Sequence, residues 1–128
     1  MTFSHLMAAS MTSVHFSRNK DFLRGIDSSS TSVFTASLGE VKTEDRLLFE
    51  ISSTMRFPEY FGWNWDALDE CLRDMEWLPE KGCLLILEDA EQCWSQYPYL
   101  LIRLVAAWLD ASEYWEGEKR PFHLVFVM

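Results

Sequence analysis

The sequence predicts an α/β protein built on a parallel sheet. Three observations carry that expectation. Residues 32–38, 83–87 and 122–127 read as strands. The segments between them show helical spacing of apolar residues, in the order strand–helix–helix–strand–helix–strand. Strands separated by helices pair in parallel through crossovers rather than as hairpins. Finally, 128 residues with 48% hydrophobic and 15% aromatic content hold enough apolar material for one core.

Each element follows from its residues. Residues 13–17 (SVHFS) alternate apolar and polar, the pattern of a short edge strand. Residues 28–32 are a serine-rich linker or turn. In residues 32–38 (SVFTASL) Val33, Thr35 and Ser37 fall on one side and Phe34, Ala36 and Leu38 on the other, which is the better core face. Thr43 is placed to cap a helix running to about Ser53, with Glu44 and Asp45 in the first turn, where the helix dipole favours anions. Leu47, Leu48 and Ile51 give that helix an apolar stripe.

Pro58 and Gly62 break the chain, and Asn64 is a good cap for a second helix predicted to reach Trp77. Residues 83–87 (CLLIL) form a continuous apolar run, as expected of a strand buried on both faces. Residues 91–95 can make a helical turn. Pro98 suits the first position of a long helix reaching about Tyr114. Its LLIRLVAAWL run is apolar nearly all round and predicts a deeply placed helix, with Arg103, Asp110 and Glu113 on one narrow polar face.

Charge narrows the function. Twenty acidic residues against 11 basic ones give a net charge of -9, which disfavours direct binding to nucleic acid or to an anionic membrane surface. A basic partner is permitted. The imbalance is local: nine acids in residues 64–91, offset by Arg73 and Lys81, leave that stretch at -7. A charge run of this kind ordinarily marks a solvated helix face, but it also serves as an electrostatic docking surface. Three cysteines, Cys71, Cys83 and Cys93, do not make a disulfide framework and point to the reducing cytoplasm. Residues 1–11 lack the features of a signal peptide, and Met11 resembles a second start.

Motifs for phosphate loops, dinucleotides, nucleophile elbows and metal clusters are absent, and His5, His15 and His123 stand isolated in sequence. No cofactor or metal is expected. Asp66 and Glu70 could serve as a general acid and base, but they sit among other acids with no predicted desolvated pocket to separate their pKa values. A binding protein is expected over an enzyme.

The informative stretch is residues 57–72, FPEYFGWNWDALDECL. Asp66, Asp69, Glu70 and Arg73 share one helix face by spacing, and Tyr60, Phe61, Trp63 and Trp65 surround its entry. Aromatic residues beside clustered carboxylates suit a surface for a cationic partner. The alternative is that the tryptophans are core and the acids only keep the surface soluble.

This run resembles the signature of the barstar family, the intracellular inhibitors of barnase-type ribonucleases. The resemblance implies a three-stranded parallel sheet packed by helices over residues 31–128, with residues 1–30 as a partly ordered N-terminal extension able to add an edge strand. It implies an inhibitor or immunity protein whose acidic side chains replace substrate phosphates in a basic nuclease or toxin domain. By motif, Tyr60, Gly62, Asn64, Trp65 and Asp66 match the family's binding loop and helix start. Glu70 falls where the family has its most important aspartate, and Asp110 matches a further acidic contact. This chain departs from the pattern with Glu at position 70, with Asp69 in place of an aromatic contact, and with Arg73 on the same face. A regulatory module with a non-nuclease partner, or a hydrolase using Asp66 and Glu70, are the other readings.

Overall fold

The computed structural model describes residues 13–26, 29–58, 62–76, 78 and 82–128. A four-stranded parallel sheet runs in the order β1-β4-β3-β2, from β1 (Val14–Ser17), β2 (Thr31–Ser37), β3 (Gly82–Glu88) and β4 (Phe122–Val127). The helices are α1 (Glu44–Thr54), α2 (Trp65–Asp74), α3 (Ala90–Gln96) and α4 (Pro98–Gly117), with a short 3-10 helix at Asp21–Gly25. The parallel α/β expectation holds, and β1 is the edge strand that the N-terminal extension adds to the three others. Its residues Val14 to Ser17 pair with Leu124 to Val127.

The sheet's two sides are built differently. Side chains alternate along a strand, so β3 and β4, buried along nearly their whole length, feed two separate clusters. Cys83, Leu85, Leu87, Phe122, Leu124 and Phe126 join the main core, to which all four helices contribute. Leu84, Ile86, Val125 and Val127 face the other way, where Phe22, Leu23 and Ile26 pack on them. On β2, Phe34 and Ala36 pack toward the main core while Val33 is exposed, as the alternation predicts. Gly82, at the start of β3, packs closely on Pro121: a Cβ there would come within 3.2 Å of the Pro121 ring, which would have to give way.

Thr43 caps α1 by accepting the Arg46 N–H at 3.2 Å, and Leu47, Leu48 and Ile51 are fully buried. Trp115 fastens α4 to α2, its indole N–H donating to the Leu72 carbonyl at 2.7 Å. Trp108 is buried in a parallel stack on Phe122, ring centres 4.0 Å apart.

Four expectations are corrected. The second helix ends at Asp74 rather than at Trp77, because Met75 turns left-handed (φ 48°) and buries its side chain; Trp77 itself lies outside the described residues. The serine-rich linker is shorter than predicted, since Thr31 and Ser32 already belong to β2. The long helix runs on to Gly117 and is not enclosed: Tyr99 is 63% and Ile102 60% exposed. It packs on α2, α3 and β4, and among the described residues nothing covers its outer side. His5 lies outside the described residues, but the other two histidines are not isolated in space. His15 Nε2 and His123 Nδ1 are 3.0 Å apart, tying β1 to β4, and His123 is buried. Registry explains this pairing, since neither residue has a sequence neighbour to mark it.

Candidate functional site

Asn64 starts the site. Its side-chain oxygen accepts the Ala67 N–H at 2.8 Å, fixing the first turn of α2. Trp63, just before it, adopts a left-handed backbone (φ 56°), a conformation an L side chain rarely takes. No glycine supplies this turn; Gly62 is exposed and has no left-handed φ. The turn leaves Trp63 half exposed and stacked on Phe49 of α1, centres 6.2 Å apart. Tyr60, a predicted contact residue, lies outside the described residues.

From this cap, α2 divides cleanly. Leu68, Cys71 and Leu72 enter the core, and Asp66, Glu70 and Arg73 are exposed. Asp66 sits in the first turn, where its charge opposes the positive end of the helix dipole. Asp69 is half-buried, at the side of α2 nearest α4. Burial pushes its carboxyl above the usual carboxylate range, against the pull of Arg103 and Arg73, while Asp110 and Asp66 push it further up. The acidic contact expected on the long helix is therefore close enough to act electrostatically on Asp69.

Trp65 holds the junction of three helices. Its indole N–H donates to the Glu44 carboxylate at the start of α1. The Arg103 guanidinium of α4 lies over its ring, 5.5 Å from the centre. Arg103, on the predicted polar stripe of α4 but not among the expected site residues, thus belongs to this surface. Its spacing of seven from Asp110, two helical turns, is the signal that places both on one side. Glu44 is 21 residues from Trp65 and carried no such signal.

The surface assembled by α2 and α4 is thus mixed. Asp66, Asp69, Glu70 and Asp110 are interleaved with Arg73 and Arg103, and the aromatic edge of Trp63 and Trp65 stands at the entry to α2. An exposed acid row with anchored aromatics is suited to docking on a charged protein surface. The thiols are suited to packing rather than reaction: burial raises Cys71 to about 11 and Cys83 to about 12, well above the range of a reactive thiolate. Among the described residues no cluster of His, Cys, Asp or Glu is placed to hold a metal ion. No helix there is long and apolar enough to cross a membrane.

A search of curated proteins finds no match. The family described as Barstar (barnase inhibitor) matches residues 31–127, which span β2 to the end of β4 and all four helices. The family match, the parallel sheet with its helices on one side and the capped acidic helix agree, and the chain belongs to the barstar family of inhibitors.

Proposed function

We propose that this protein is a cytoplasmic inhibitor, an antitoxin or immunity protein, that blocks the active site of a basic ribonuclease or a related nuclease toxin. The observation that carries this reading is the exposed Asp66–Glu70 row on a rigidly capped helix, with Asp110 brought alongside by α4. Carboxylates held in this way replace the phosphates a nuclease cleft is built to receive. The contact set is Gly62, Asn64, Trp65, Asp66, Asp69, Glu70, Arg73 and Asp110, together with Tyr60. Net charge of -9 steers the encounter with a basic target, so association is fast and falls with ionic strength.

The test is inhibition of a basic nuclease by the wild type and by Asp66→Ala with Glu70→Ala. The double variant is expected to keep the fold and lose inhibition; undiminished inhibition would remove this surface from consideration. The interleaved Arg73 and Arg103 favour a second reading, a regulatory module whose partner is not a nuclease. Identification of the protein that binds, followed by assay of its nuclease activity, separates the two.

A further inference from the structure

Beside the acidic row, between the start of α1, the start of α2 and the first turns of α4, lies a pocket of about 400 Å³. Lys42, Glu44, Trp65, Tyr99 and Arg103 line it. Its charge is opposite to that of its surroundings. Two cations face it, against the single carboxylate of Glu44, which already accepts the Trp65 indole N–H. The Arg103 guanidinium lies over the Trp65 ring and acts electrostatically on Asp69, but it is in no ion pair with it, so N–H donors of its planar fork are available to a second anion. Tyr99 is 63% exposed and forms an open wall.

We propose that this pocket receives one carboxylate side chain, an aspartate or glutamate, from the protein that this chain inhibits, and that Arg103 selects it. The inference rests on the reading of the neighbouring acidic row as the inhibitory surface and adds to it the chemistry of the target's rim. A target that fits must pair a cationic cleft for Asp66 and Glu70 with an acidic residue beside it. Charge decides between a carboxylate and a nucleotide. A nucleotide phosphate brings close to two negative charges next to Glu44, Asp66, Asp69 and Asp110, whereas a side-chain carboxylate brings one, matched by the Arg103 fork.

The experiment is a two-dimensional NMR titration of the full chain, following the Trp65 indole N–H and the Arg103 Nε–H. The probes are N-acetyl-glutamate N-methylamide, its glutamine counterpart and uridine 3′-monophosphate. The glutamate probe is expected to saturate these signals with a Kd of about 10–100 mM, the strength of one charge-assisted bond. The glutamine probe is expected to bind at least about tenfold more weakly. Arg103→Gln, at an exposed position, is expected to abolish the difference while leaving the remaining spectrum in place. Lys42→Gln, also exposed, provides a second variant and weakens glutamate binding less. Equal binding of glutamate and glutamine probes, tighter binding of the nucleotide, or unchanged discrimination in Arg103→Gln each overturns the proposal. None of these outcomes depends on Asp66 or Glu70, so failure of the pocket and failure of the inhibitory surface are read separately.

Discussion

The two sides of the sheet are covered by different parts of the chain. On one side four helices build the main core and present the α2–α4 surface, all within the residues matched by the barstar family. On the other, Leu84, Ile86, Val125 and Val127 are covered by Phe22, Leu23 and Ile26, which lie outside that match. Parallel sheets are stable with both faces covered, and among the described residues the second cover is the short 3-10 helix and Ile26 just after it. Lys20 anchors it through an ion pair to Glu88 at 2.7 Å. The contrast teaches a division of labour. The helical side carries the charge pattern proposed to recognise a partner, and the thin side packs on the sheet's second apolar cluster.

Mutations can break that division. The largest effect is expected from Asp66→Ala with Glu70→Ala. If each carboxylate makes a charge-assisted bond of about 1.5–3 kcal/mol, inhibition weakens by roughly 10²–10⁴-fold. Calorimetry should show little change in thermal stability. Next, Leu23→Ala on the thin side should cost about 1–2 kcal/mol, less than a fully enclosed leucine because the residue is only half-buried. Chemical denaturation measures this, and inhibition should stay at the wild-type level. A comparable loss of inhibition in Leu23→Ala would erase the distinction between the two sides.

Acidity provides a finer probe. Burial lowers the pKa of His15 from the usual 6.5, so the unfolded chain takes up the proton first as pH falls. Stability contributed by neutral His15 is therefore present above pH 6.5 and lost progressively as pH drops from there toward the lowered native value. Its hydrogen bond with His123 also needs one ring nitrogen free to accept. Protection factors of β1 amides, referred to the intrinsic exchange rate at each pH, should fall between neutral pH and pH 5, ahead of those of α2, and His15→Gln should flatten that response. The smallest effect is expected at Asp69. Burial raises its pKa in the fold, so its charge at neutral pH opposes folding. Asp69→Asn should stabilise by less than about 1 kcal/mol at pH 7, with the gain vanishing as pH falls through the raised value and the native carboxyl becomes neutral.

Local patterns made most of the helical side legible. Thr43 and Asn64 both cap the helices they were expected to start, and the CLLIL run is the strand buried on both faces. Contacts between distant segments were not legible. His15 and His123 are 108 residues apart, and Trp65 meets Glu44 and Arg103 only once three helices converge. The outer side of α4 misled for a different reason. Tyr99 and Ile102 belong to a helix that is apolar nearly all round, and periodicity cannot tell which of its apolar stripes will find a neighbour. The end of α2 was set by the left-handed turn at Met75, a backbone event that its residue type does not announce.

Strand order also governs when the molecule can be finished. β4, the last of these four strands along the chain, lies between β1 and β3. At about 5–20 residues per second, His15 waits roughly 5–20 s after its own synthesis for His123 to exist. Until then β1 has no sheet to join, whereas β2 and β3 can already pair. The sheet therefore grows from the β2 edge across to the opposite edge, and β1 is the last of the four strands to dock.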